Sequence, residues 1–117
     1  MIHGIGIDLI EMHRIQQAVE KQARFPERVL SSRELVDYER RSPKRQLEFL
    51  AGRFAAKEAF SKAMGTGIGK TVTFQNVSIL NDEKGQPQVV ECPFEGKAFV
   101  SITHTDNYAA AQVILEK

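Results

Sequence analysis

An α+β fold, with antiparallel strands packed on one long central helix, is predicted by three observations. Apolar residues at period two open the chain, a long segment with strong helix start and stop signals occupies its middle, and strand-like segments separated by turns fill its last third. At 117 residues the whole chain, 1–117, has the size of one ordinary domain.

Residues 2 to 10 read as a strand, because Ile5, Ile7 and Leu9 alternate with Gly4, Gly6 and Asp8. Asp8 then lies on the face that the two glycines leave bare. From Glu11 to Arg24, Met12, Ile15 and Val19 recur at helical spacing, and Pro26 is expected to interrupt that helix. Ser31-Ser32-Arg33-Glu34 fits a capping box that opens a short helix to about Arg41. Ser42-Pro43 places serine at an N-cap and proline at the first helical position, and Gly65 supplies the stop. The helix between them is the longest element, and its apolar residues, among them Phe49, Leu50, Phe54, Ala56 and Phe60, point nearly all round. Such a helix is covered on several sides, by its own core or by another subunit. After Gly65 to Gly69 come strands at Val72 to Leu80 and Gln88 to Glu91 around a turn at Asn81 to Gly85. Two more, 97 to 105 and 108 to 115, are joined at Asp106-Asn107.

Composition narrows the function. The 42% hydrophobic and 26% charged residues describe a globular protein without a membrane-length apolar run, and the first residues lack the charged region and cleavage site of a secretory signal. A cytoplasmic protein is expected. Cys92 is the only cysteine, which excludes an internal disulfide framework or a cysteine-based metal cage. The net charge of +1 is unevenly spread, since residues 13 to 62 carry twelve Lys/Arg against seven Asp/Glu. A basic half suits an acidic partner or a phosphate-rich ligand, and it also suits helices with solvated charged faces. Near-neutral total charge, the absence of Trp and the lack of aromatic residues interleaved with basic ones argue against a nucleic-acid-binding module. Met64 to Thr71 ends like a P-loop, but its first glycine is one position off, and the segment follows a helix instead of opening one.

On the long helix Glu58 and Lys62 fall one turn apart, beside the small-residue stripe Ala51, Ala55, Ala59. Those alanines admit close approach of another segment, and the strand bearing Gly4, Gly6 and Asp8 is the natural candidate. That packing brings Asp8 and Glu58 together next to Lys62, an arrangement that a hard divalent cation relieves. Magnesium takes one or two protein carboxylates and fills its other positions with water and phosphate oxygens. The same spacing is met by a simpler arrangement, in which Glu58 and Lys62 form an i, i+4 surface ion pair and Asp8 caps the following helix.

The segment Arg53 to Lys62, in which an aromatic residue precedes Lys57-Glu58-Ala59 and Lys62, resembles the helix motif of the phosphopantetheinyl transferase superfamily. Gly6-Ile7-Asp8 resembles its glycine-hydrophobe-aspartate motif. The likeness continues through Phe49 to Gly52, Gly65 to Gly69 and Ile102 to Thr105, so it spans essentially the whole chain.

The resemblance implies the superfamily's fold with one lobe per chain, the short class that forms homotrimers with active sites at subunit interfaces. It implies magnesium-dependent transfer of 4′-phosphopantetheine from coenzyme A to a serine of apo acyl carrier protein, releasing 3′,5′-adenosine bisphosphate, in fatty acid biosynthesis. Asp8 and Glu58 match the family's magnesium ligands, and Lys62 matches a phosphate-contacting lysine. Whether Glu58 or a metal-bound hydroxide takes the serine proton stays open. Lys44, Arg45, Arg53 and His104 fall where the family binds the coenzyme's phosphates, and Arg14, Lys21, Arg24 and Arg28 around Phe25 suit an acidic carrier protein.

Overall fold

A computed structural model describes residues 1–117. The elements follow in the order β1 (Ile2–Glu11), α1 (Met12–Lys21), α2 (Phe25–Val29), α3 (Ser32–Glu39), α4 (Pro43–Met64), β2 (Ser78–Asn81), β3 (Pro87–Glu91), β4 (Lys97–His104) and β5 (Tyr108–Glu116). β1, β5 and β4 form an antiparallel sheet in that order, and β2 pairs with β3 in a separate hairpin. This is the expected α+β architecture, with α4 laid across the inner face of the three-stranded sheet.

Two glycines set how closely that helix lies. A Cβ on Gly6 would come within 1.8 Å of the Ala59 carbonyl oxygen, and one on Gly4 within 1.9 Å of the Ala63 carbonyl oxygen. No side chain fits in either place, so β1 rides directly on the backbone of α4. The two-residue step along the strand matches one turn of the helix. The contact uses Ala59 and Ala63, and Ala51 and Ala55 continue the buried alanine row. Ala109, Ala111, Val113 and Leu115 of β5 fill the middle of the same face.

α4 is buried nearly all round, as its apolar pattern predicts, and its buried residues include Arg53, Lys57 and Ser61. Ser42 holds the N-cap position through its backbone, although its hydroxyl makes no cap bond, and Gly65 ends the helix in the left-handed conformation with φ 80°. No helix is long and apolar enough to cross a membrane.

Three local expectations are corrected. α1 ends at Lys21, three residues earlier than its periodicity suggests, with Gln22 already extended. Pro26 lies inside a separate five-residue helix, α2, where its missing N–H is no loss in the first turn. Residues 72 to 77 are not strand, because the Thr73 amide donates to the Asn76 side chain and the Asn76 amide donates to the Thr73 hydroxyl, closing a local turn that competes with sheet pairing.

The outer face of the sheet carries an apolar group, beside Ser101, Thr103 and Gln112, that its own chain leaves uncovered. Ile5, Ile7 and Leu9 of β1 are 60%, 65% and 65% exposed, and Phe99 of β4 is 51% exposed. Ile114 lies between Ile5 and Phe99 in the sheet register.

Candidate active site

The first cluster forms where β1 passes α4. Continuing along β1 from Gly4 and Gly6, the next residue on the helix-facing side is Asp8, and its carboxylate meets the C-terminal half of α4. The Lys62 ammonium donates to Asp8 Oδ1 at 3.0 Å and to the Ile7 carbonyl oxygen at 3.0 Å. The ammonium thus goes to Asp8, and the simple i, i+4 pair with Glu58 is not what it makes. Asp8 does not cap α1 either, since that N-cap is Glu11 and no side chain bonds to it.

Glu58 completes the group. Partial burial holds its carboxyl above the usual carboxylate range, the Asp8 charge pushes it further up, and Lys62 offsets part of the rise. Two neighbouring carboxylates with one ammonium, bonded to Asp8, leave uncompensated negative charge, which is the electrostatic setting that favours a cation. No third His, Cys, Asp or Glu joins them. That donor set fits magnesium, which takes one or two carboxylates and leaves its remaining positions to water and phosphate; it does not fit an ion that needs a complete protein cage.

The second cluster is a cleft of about 340 Å³ beside the N-terminal half of α4, lined by Arg41, Arg45, Glu48, Arg53, Asn81 and His104 among others. Gly52 opens it, because a Cβ there would already stand 3.0 Å from Ile102 of β4. Glu48 lies 3.6 Å from the Arg45 guanidinium and 4.0 Å from His104 Nδ1.

Of the expected phosphate contacts other than Lys62, Arg45, Arg53 and His104 line this cleft and Lys44 stands exposed outside its lining. Arg53 is nearly fully buried and tied down: its Nε donates to the Ile79 carbonyl at 3.1 Å and its Nη2 to Asn81 Oδ1 at 3.1 Å. Burial, with the nearby Arg41 charge adding to it and Glu34 opposing, lowers its guanidinium to about 10.

The expected carrier-protein patch is only partly an exposed one. Arg14, Lys21, Arg24 and Arg28 face solvent. Arg24 pairs with Glu27 at 3.3 Å, and Arg28 donates to Gln22 at 3.0 Å. Phe25 is half-buried, lying 6.3 Å from the Phe54 ring, which stacks on Phe74 at 5.4 Å.

Sequence reasoning missed a buried ion pair behind the site. Lys57, next to Glu58, is fully buried with Glu34, and its ammonium donates to Glu34 Oε1 at 2.6 Å and to the Val29 and Phe74 carbonyls at 2.7 Å each. Glu34 also accepts from the Ser31 and Ile79 amides at 2.8 Å. Burial pulls Lys57 below the usual lysine range while Glu34 opposes the shift. A lysine in the middle of a helix with alanines around it was the available signal.

Residues 4–113 match the model of the 4′-phosphopantetheinyl transferase superfamily. A holo-[acyl-carrier-protein] synthase of Staphylococcus carnosus is 60% identical over 100% of this chain and 99% of its own length. One from Enterococcus faecalis is 58% identical over 99% and 98%. Among solved structures, the Bacillus anthracis holo-(acyl-carrier-protein) synthase in complex with CoA (3′,5′-ADP) superposes with a TM-score of 0.92 at 46% identity, over 98% of this chain and 96% of that one. The Helicobacter pylori holo-[acyl-carrier-protein] synthase in complex with coenzyme A gives 0.84 at 32% identity, over 96% and 99%. The chain belongs to the 4′-phosphopantetheinyl transferase superfamily, within its holo-[acyl-carrier-protein] synthase branch.

Proposed function

We propose that this protein moves 4′-phosphopantetheine from coenzyme A to a serine of an apo acyl carrier protein, in the cytoplasm and in support of fatty acid synthesis, as one transferase domain. The meeting of Asp8, Glu58 and Lys62 where β1 crosses α4 carries this reading. The serine Oγ attacks the β-phosphorus of coenzyme A, the new P–O bond forms as the bond to 3′,5′-adenosine bisphosphate breaks, and the serine proton leaves. Phosphoryl-type transfer needs alignment and charge neutralisation more than covalent help. Magnesium held by Asp8 and Glu58 would supply Lewis-acid neutralisation of the diphosphate. Lys62, fixed by Asp8 and the Ile7 carbonyl, is positioned to stabilise charge on the leaving phosphate. Glu58 or a metal-bound hydroxide would accept the serine proton.

The cleft near Arg45 and His104 receives the nucleotide end of coenzyme A. The two clusters of one chain stand at opposite edges of the sheet, Asp8 on β1 and His104 on β4. Arg45 and Glu58 are separated by roughly 20 Å along α4 at 1.5 Å per residue. That span favours a site completed between chains. The exposed face around Ile5, Ile7, Leu9 and Phe99 is the surface expected to close a homotrimer. The exposed arginines of α1 and α2 serve the acidic carrier protein.

Mass spectrometry tests the reaction. Incubation with coenzyme A, magnesium and apo carrier protein is expected to add one phosphopantetheine group to the carrier, and chelation of the metal to stop it. An unchanged carrier mass would overturn the reading. For the assembly, sedimentation is expected to show three chains for the natural protein, and Ile5→Glu to give folded single chains with transfer reduced at least about tenfold, since a charge would be buried in an apolar contact. A natural protein that sediments as a single chain and transfers at full rate would remove the trimer from the mechanism.

A further inference from the structure

α2 has five residues, and a helix so short owes its place to what it packs against. Its last carbonyls, like those of any helix, have no partner within it. Two side chains from elsewhere in the chain take them. Gln75 Nε2 donates to the Glu27 carbonyl at 2.9 Å and to the Arg28 and Leu30 carbonyls at 3.1 Å each. Lys57 donates to the Val29 carbonyl between them. Every carbonyl from Glu27 to Leu30 is therefore bonded, with one N–H of Gln75 shared between two acceptors, as is common at helix ends.

The two donors are joined through the backbone. The Lys57 ammonium also donates to the carbonyl of Phe74, the residue before Gln75, so one buried cation fixes both α2 and the segment that carries Gln75. That cation stands next to Glu58 on α4. α2 is thereby tied to the helix that presents the site carboxylate, and the outer end of the tie is the exposed Gln75. The side chains of α2 add little to this hold. Arg24 and Arg28 bond to near neighbours in the chain, Glu27 and Gln22, and exposed contacts of that kind contribute weakly.

We propose that Gln75 is a positioning residue for the carrier protein: its amide holds α2 where Arg24 and Arg28 receive an acidic partner while the partner's serine reaches Glu58. The inference rests on the reading of α1 and α2 as the carrier-docking surface. In this role Gln75 acts through α2 and needs no contact with either substrate. It keeps the docking charges placed in advance, which lowers the ordering cost of association. Its effect therefore falls on capture of the carrier, and not on coenzyme A or the chemical step.

Steady-state transfer kinetics with coenzyme A and apo acyl carrier protein test this. Gln75→Leu keeps the bulk of the side chain and removes its donors, and it is expected to raise KM for the carrier about tenfold, with KM for coenzyme A and kcat retained. A merely structural loss would instead lower the amount of folded enzyme, and with it kcat, at unchanged KM. Gln75→Lys restores a donor at the helix C-terminus and should return the carrier KM toward that of the natural protein. The recovery should persist at raised ionic strength, where attraction of an acidic partner by one added charge is screened. Arg28→Ala, the control for the docking surface, is expected to raise the same KM. A carrier KM that rises in Arg28→Ala but not in Gln75→Leu sinks the assignment of Gln75 and leaves the docking surface standing. A carrier KM unchanged in both variants overturns the docking surface and this inference with it, but not the transferase. Recovery in Gln75→Lys that vanishes at raised ionic strength would give the effect to charge and overturn the role of the amide.

Discussion

Glu58→Gln is expected to lower the rate of phosphopantetheine transfer at least about 10³-fold, because metal neutralisation of a transferring phosphate contributes several kcal/mol and each 1.36 kcal/mol is a factor of ten. The substitution keeps the size of the side chain and its place on α4, so loss of activity is separated from loss of fold. The same substitution should leave the metal-free protein as stable as before, or slightly more so. Burial and the Asp8 charge make the ionised form of Glu58 unfavourable in the fold, and glutamine removes that charge. The sign of the pH dependence follows. A carboxyl whose folded pKa is raised binds its proton more tightly folded than unfolded, so this group's contribution to stability grows as pH falls through the raised pKa. In chelator, the natural protein should gain a little melting temperature on mild acidification, a gain that Glu58→Gln lacks. Magnesium should stabilise the natural protein at neutral pH and leave the variant's melting unchanged. A Glu58→Gln protein with near-normal transfer would remove the carboxylate pair from the mechanism.

Lys57→Ala is expected to destabilise the fold by about 3–5 kcal/mol, the range found when one partner of a buried ion pair is removed. That is a large part of the roughly 5–15 kcal/mol that holds a domain together. The physical reason is Glu34, which would remain fully buried as a carboxylate with two amide donors and no directly bonded counter-ion, leaving only the Arg53 charge nearby. The Val29 and Phe74 carbonyls would also lose their donor, loosening α2 and residues 72 to 77 together. Chemical denaturation reads the effect as a lower midpoint with little change in slope. The double variant Lys57→Met with Glu34→Gln should recover part of the loss, because no unpaired charge is then buried. A Lys57→Ala protein within 1 kcal/mol of the natural one would show that Glu34 is neutralised another way.

Local signals were readable because they act between neighbours in the chain. Gly65 ends α4 where expected, since a left-handed residue needs no distant partner, and Asp106-Asn107 joins β4 to β5 for the same reason. Gly4, Gly6 and the alanine row are legible as a pair of bare surfaces, which makes Asp8 against α4 one of the two arrangements that the spacing allows. Residues 72 to 77 read as strand from their β-rich composition, whereas the Asn76 and Thr73 side chains accept from each other's backbone amides and close a turn instead.

By itself, then, the sequence determined the α+β class, the limits of the long helix, and the spacing that makes Asp8, Glu58 and Lys62 candidates for one site. Only the tertiary structure decided the partner of each charge. Lys62 turns to Asp8 across 54 positions, Lys57 to Glu34 across 23, and Arg53 to the Ile79 carbonyl across 26. The reason is physical: period and capping are set within a turn or two of chain, whereas the cost of burying a charge is met by whatever acceptor the packing brings near. The same packing leaves Arg41 Nε without an acceptor, a fact that no spacing rule contains.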